Sequence, residues 1–383
     1  MDWNALRTVE FPVTERWAYF DHAAVSPLPR RSGQILREWA EDQERNGVMY
    51  WPEWEKKLRT NRDRLASLIN ASNDEIAFVN STTSAIGLVA EGFPWKPGDN
   101  VVTAEEEYPS NIYPWMNLAS RGVSLRTVPT REGRIWVEDL DAAIDESTRL
   151  LTISHVEFSS GFRNDLDAIG ELCRSRGIAF MVDAIQGLGP LVIDVQRTPI
   201  DFIAADGHKW LLGPEGAGFL YVRRDWIERL RPLGVGWHSV VSSYNNPNLD
   251  FTLKPTAERW EGGSFNMPGL QAFGASLSLL LEIGKEQVSE RILSQAQEVR
   301  EIARSTGWRI VGSNRDQDLS GIVAIQKEGI NPDQVVRDFR KAGVAVACRR
   351  GRLRISPHIY QNGEDLERLR VGLASAGTQR LNS

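Results

Sequence analysis

The centre of this chain is a series of short apolar runs separated by amphipathic ones, and that alternation restricts the possible folds more than any other feature. Glu75–Asn80, Asn100–Ala104, Ser124–Val128, Leu150–His155, Ala179–Asp183, Phe202–Ala205 and Gly216–Arg223 read as strands, and helical patterns lie between several of them. One helix starts near Asn164 and sets Leu166, Ile169, Leu172 and Cys173 at roughly helical spacing. It stops at Arg176-Gly177, a basic last turn followed by glycine. Strands alternating with helices predict an α/β fold with a mostly parallel sheet covered on both faces. In such sheets ligands sit beyond the carboxyl ends of the strands, so the chemistry is expected there.

Further on, Pro232–Gly263 is irregular and rich in Pro, Asn and Gly, a kind of long segment that more often serves function or an interface than neither. Helical runs follow at Leu270–Ile283 and Ser289–Ser305. Strand Gly321–Gln326, helix Pro332–Ala342, strands Val344–Ala347 and Leu353–Pro357, and helix Glu364–Ala374 then form a smaller α+β unit. A chain of 383 residues suits one large domain and one small one.

The balance of 45 basic against 51 acidic residues gives net charge −6, which offers no general attraction for nucleic acid. The basic cluster Arg349, Arg350, Arg352, Arg354 is therefore a local feature. Two cysteines, Cys173 and Cys348, indicate no disulfide framework and fit a reducing compartment. The N-terminus lacks a basic segment followed by an apolar run, and no 18-residue apolar stretch occurs. The expectation is a cytoplasmic protein with neither nucleic acid nor membrane as partner. The five histidines show no metal-ligand spacing, so no metal is expected.

Two strand ends carry the chemistry. IAFMVDAIQG (Ile178–Gly187) runs into Asp183, with Gln186 three residues on. A lone Asp there reads first as a helix cap. Buried, it needs a partner, and a protonated pyridine nitrogen is one. DFIAADGHKW (Asp201–Trp210) runs into Lys209, where partial desolvation would lower the amine's pKa and make it nucleophilic. An Asp and a Lys at two strand ends match the needs of pyridoxal phosphate (PLP): a Schiff-base lysine and an acidic partner for the ring nitrogen. Asn80–Ala85 (NSTTSA) follows a strand and opens a helix, which suits either a phosphate or a simple cap.

Around these residues the chain resembles the class V aminotransferase family, which includes cysteine desulfurases, selenocysteine lyases, kynureninase and isopenicillin N epimerase. GHKWLLGPEGAGFLYV around Lys209, YFDHAAVSPLP (Tyr19–Pro29) and EEEYPSNIYPW (Glu105–Trp115) carry the resemblance. It implies the fold type I PLP-dependent transferase fold, with a mostly parallel seven-stranded sheet in a large domain at 18–258. Residues 1–17 and 259–383 would form the small domain. It implies PLP on Lys209, with Thr82, Thr83, Tyr108, Asp183, Gln186, His208 and Ser264 around the cofactor. Tyr108 would stack on the ring, and Ser264 would reach the phosphate of a second subunit, implying a homodimer with active sites at the interface. Arg354 would bind the substrate α-carboxylate, a group its planar fork fits, and His22 would lie on the substrate side.

The function so implied is that of an enzyme acting on an amino acid through an external aldimine and a Cα carbanion. Lyase, epimerase and aminotransferase outcomes stay open. Cysteine desulfurase or selenocysteine lyase is an alternative, and a non-catalytic binding protein, colourless with PLP, is another. Three departures from the family pattern stand out. Asp206 replaces a frequent serine phosphate ligand and should point elsewhere. Phe158 occupies the place of a frequent asparagine, leaving Gln186 to meet the phenolic oxygen. Desulfurases also carry their cysteine on a long loop before the arginine, whereas Cys348 lies six residues before Arg354 at the stub of that loop. Arg349 and Arg350 beside it are of the kind that lowers a thiol's pKa.

Overall fold

The computed structural model describes residues 1–244, 247–312 and 315–376. Its strands are β1 (Ala18–Tyr19), β2 (Ile76–Val79), β3 (Asn100–Ala104), β4 (Ser124–Val128), β5 (Thr148–Ser154), β6 (Ala179–Asp183), β7 (Phe202–Asp206), β8 (Gly218–Val222), β9 (Arg309–Ile310), β10 (Val323–Gln326), β11 (Val344–Ala345), β12 (Ala347–Arg349) and β13 (Arg352–Ile355). A seven-stranded sheet has the order β2-β8-β7-β6-β5-β3-β4. All pairings in it are parallel except those on either side of β8. This is the mostly parallel α/β sheet that the alternation predicts.

Strands β2, β3, β6, β7 and β8 are buried at every position. That explains why their sequences are continuous apolar runs instead of alternating ones. Two core clusters line the two faces, one holding Ile153, Phe180 and Ile203 and the other Leu150, Met181 and Phe202. Helix Leu166–Arg176 shows how locally the covering elements are specified. Asp165 caps it by accepting from the Ala168 N–H at 3.0 Å. Leu166, Ile169 and Cys173 face inward, and Gly177 ends it at φ 65°.

The smaller sheet, β12-β13-β10-β9, is antiparallel and is covered by helices Lys285–Ser305, Pro332–Lys341 and Gly363–Ser375. Its core cluster also takes in Ala18 and Phe20 from the N-terminal segment. Helix Met267–Ile283 packs instead on helices Arg30–Asn46 and Trp51–Ile69, in the large-sheet core. The N-terminal segment ties both halves together. β1 pairs in parallel with β11, the Ser356 N–H donates to Phe20 O at 2.7 Å, and Ser26 Oγ donates to Lys209 O at 2.6 Å. No helix among the described residues is long and apolar enough to cross a membrane.

Candidate active site

β6 and β7 are adjacent parallel strands, so their carboxyl ends deliver Asp183 and Asp206-Gly207-His208-Lys209 to one edge. Gly207 is needed at that turn, because a Cβ there would lie 2.8 Å from the Phe273 ring and 2.9 Å from Ala217 O. Lys209 is 9% exposed, and burial pushes its ammonium pKa down to about 8. The Asp183 carboxylate opposes that shift and the Arg354 charge adds to it. Asp183 is pushed up to about 6 by burial, offset by the Ile185 N–H on Oδ1 at 3.0 Å and by the charge of Lys209. Its Oδ2 is buried without a hydrogen-bond partner among the described residues. A buried carboxylate oxygen without a partner is costly and marks a place made for a donor.

Lys209 Nζ lies 5.5 Å from the centroid of the half-exposed Tyr108 ring, and Tyr108 meets Phe158 edge-on at 5.2 Å between centroids. Helix Thr82–Gly92 begins beside them. Ser81 caps it by accepting from the Ser84 N–H at 3.1 Å, which leaves the Thr82 and Thr83 N–H groups as the first-turn donors with no partner within the helix. Thr82 Oγ1 is buried and unpartnered, whereas Thr83 Oγ1 donates to Ser110 Oγ at 2.7 Å. Ser264 is exposed and lines a cavity of about 260 Å³ with Asn80 and Ser84.

Arg354, on β13, enters from the small sheet. It is 1% exposed, donates to Phe158 O at 3.0 Å and meets Asp21 Oδ1 at 3.3 Å, while its Nε is buried without a partner among the described residues. Burial lowers its pKa to about 10, and Asp21 partly restores it. Lys209, Asp183, Arg354 and Tyr108 thus fall within electrostatic reach of one another.

Other expected residues are placed differently. Gln186 spends its amide on the protein, donating to Ala23 O and accepting from Trp210 Nε1, both at 2.9 Å. His22 is fully buried, with Nδ1 2.9 Å from Ser356 O and Nε2 2.7 Å from Tyr360 Oη, in a ring cluster with Trp210 and His358. It underlies the site and presents no surface to a substrate. His208 Nδ1 lies 3.1 Å from Asp206 Oδ1, although neither atom has a hydrogen bond of good geometry. Asp206 therefore faces His208.

Cys348 lies opposite Leu353, a core residue of the small domain, and so points to the sheet face away from Arg354. Burial and Asp333 push its thiol pKa up, which corrects the expectation that Arg349 and Arg350 lower it: desolvation and the Asp333 carboxylate outweigh the lowering by the Gly351 backbone and by the Arg349 charge.

Sequence reasoning missed a group of buried acids. Glu107 accepts from the Ser154 N–H at 2.5 Å and from Ser154 Oγ at 2.6 Å, and Ser154 is the ladder partner of Asp183. Burial, helped by the Asp183 charge, raises Glu107 to about 7. Glu157 is pushed well above the usual range by burial and by Glu107. The third glutamate of the EEE run in Glu105–Trp115 was the only available signal. Among the described residues no cluster of three or more His, Cys, Asp or Glu could hold a metal ion.

Residues 18–379 match the family described as aminotransferase class V. The chain belongs to that family. A probable cysteine desulfurase of Methanothermobacter thermautotrophicus is 30% identical to it over 386 residues, 94% of each chain. In three dimensions it is similar to the apo cysteine desulfurase of Thermococcus onnurineus, with a TM-score of 0.88 at 23% identity over 98% of both chains. It is also similar to the cystine C–S lyase C-DES in complex with cysteine persulfide, with a TM-score of 0.90 at 22% identity over 96% of this chain and 100% of that one. Membership makes the protein a PLP-dependent enzyme of the class V kind. The residues present fit that cofactor: a buried amine of lowered pKa, a partnerless carboxylate oxygen and an unpartnered hydroxyl at a helix start are what an aldehyde, a pyridinium and a phosphate need.

Proposed function

We propose that this class V enzyme removes the Cα proton of an amino acid whose α-carboxylate is held by Arg354. Bound PLP would supply an electron-withdrawing ring next to Cα. Asp183 Oδ2 would hold a proton on the ring nitrogen, and Thr82 and Thr83 with their helix N-terminus would hold the phosphate. Tyr108 would cover one ring face, with Gln186 and His208 fixing the floor around it. Lys209, with a pKa near 8, is suited to carry the aldehyde and then act as base at Cα near neutral pH. Arg354 would orient the substrate so that the Cα–H bond stands over the ring.

The observation that carries this reading is the pair formed by the buried Lys209 amine and the partnerless Asp183 oxygen on adjacent strand ends. The face taken by Cys348 and its raised pKa favour release of a substrate side group over its transfer to an enzyme thiol. The exposed Ser264 and its cavity support a homodimer in which that hydroxyl serves a second copy. Two free cysteines support a reducing compartment such as the cytoplasm.

To test the reading, the protein is loaded with PLP, reduced with borohydride and mapped by peptide mass spectrometry. The label is expected on Lys209, and label confined to other lysines would overturn it. Lys209→Ala is expected to lower turnover of any L-amino-acid substrate by about 10²- to 10⁴-fold, the usual contribution of a positioned acid–base group.

A further inference from the structure

The hairpin that carries Arg354 holds more positive charge than the protein neutralises. In the antiparallel register, Arg349 stands opposite Arg352 and Ala347 opposite Arg354, so Arg349, Arg352 and Arg354 share the face turned away from the small-domain core. Their partners differ. Arg352 reaches Glu106 at 3.4 Å and Ser159 Oγ at 3.2 Å, Arg350 lies 3.8 Å from Glu106, and Arg354 lies 3.3 Å from Asp21. Arg349 donates only to the carbonyl of its own neighbour, Cys348, at 2.8 Å, and among the described residues no carboxylate lies within 4.0 Å of it.

It nevertheless belongs to the active-site wall, because it shares the Arg354 face of the hairpin with one residue pair between them, and its charge is felt at Lys209, Arg354 and Asp21. The turn holds it there. Arg350 at φ 48° and Gly351 at φ 70° make a two-residue connection with both central residues in the left-handed region, which fixes the direction of the residues flanking it. A half-buried guanidinium facing a site, which feels the Asp21 carboxylate only at a distance and has none in contact among the described residues, is left with binding capacity for an anion.

We infer that Arg349 is a specificity residue that binds a second anionic group, carried on the side chain of the amino-acid substrate, while Arg354 holds the α-carboxylate. The preferred substrate class is then an α-amino acid with an acidic side-chain terminus, whether an ω-carboxylate, a sulfinate or the distal carboxylate of a disulfide-linked amino acid. The inference rests on the reading above for where the α-carboxylate and Cα lie.

The test uses the PLP-loaded enzyme and measures kcat and KM for aspartate, glutamate, cysteine sulfinate, cystine, cysteine and alanine. Wild type, Arg349→Met and Arg349→Lys are compared. The wild type is expected to favour an acidic member. Arg349→Met is expected to lower the acidic-to-neutral ratio of kcat/KM by roughly 10- to 100-fold, the scale of one charge-assisted hydrogen bond, and mainly through KM. Arg349→Lys should recover part of that loss. Calorimetric binding of the unreactive dicarboxylate maleate against the monocarboxylate propionate gives a readout that needs no turnover, and only the dicarboxylate should weaken in Arg349→Met. An unchanged ratio, or equal weakening of both carboxylates, overturns the inference while leaving Lys209 and Arg354 in their roles. No turnover of any member, together with no PLP label on Lys209, overturns the underlying reading instead.

Discussion

The two sides of the site are built on different principles. The floor, around the ends of β6 and β7, consists of buried groups: Asp183 Oδ2 and Thr82 Oγ1, which lack partners among the described residues, and the lowered-pKa amine of Lys209. The wall, on the β12–β13 hairpin, carries charges that are mostly engaged already, Arg354 with Asp21 and Arg352 with Glu106. The floor holds its groups ready for a resident ligand at a cost to the fold. On the proposed reading, the internal carboxylates of the wall stand in for an incoming carboxylate that would displace them. A permanently bound cofactor and a passing substrate call for these two solutions respectively.

The difference should show in kinetics. Asp183→Asn strikes the floor and is expected to lower kcat by about 10²- to 10³-fold, the range for removal of one preorganised electrostatic group. Arg354→Lys strikes the wall and should raise KM by roughly 10-fold or more with a smaller loss in kcat, since it removes fork-shaped binding. If the two variants changed KM and kcat in the same proportion, floor and wall would not be functionally distinct.

The floor also has a pH signature. Glu107 has a folded pKa of about 7 against 4.5 for a free glutamate. A raised acid contributes its stability below the unfolded pKa and loses it as pH rises through the folded one. Glu107→Gln should therefore leave the apo protein's stability nearly unchanged at pH 4.5. By pH 8 it should stabilise by on the order of 1–3 kcal/mol, measured by urea unfolding. A stability difference independent of pH would show that Glu107 titrates alike in the folded and unfolded chain, with no raised pKa in the floor. The smallest effect is expected at the back of the wall. Cys348→Ala should change stability by under about 1 kcal/mol and leave turnover intact, which sulfide and pyruvate assays would check. Turnover lost with Cys348 would return the thiol to the chemistry.

How far the sequence could be read follows the same division. β3 and β6 were legible to the residue because they are buried along their whole length and read as apolar runs, and β4 was legible too although most of it is exposed. Asp183 and Lys209 were legible because each ends such a run. The partners of the wall were not. Asp21 meets Arg354 from the opposite end of the chain, and nothing local to either residue records that contact. Arg349 was visible as one of a basic cluster. Its lack of a counter-charge depends on which residues Glu106 and Asp21 choose. Glu107 sat inside a motif read for the ring of Tyr108, and only its burial changes what its carboxyl group does.

The strand β1 carries a consequence for biosynthesis. It is made long before its hydrogen-bonding partner, β11, which follows every strand of the large sheet in the chain. Until then Ala18–Tyr19 is an open edge, and the segment that Ser26 and Ala23 clamp onto Lys209 and Gln186 is secured on one side only. A nascent chain stalled before Val344 would therefore hold the lysine in a finished sheet but an unfinished pocket. Competence to take up its cofactor should arise only once β11 has been made and paired.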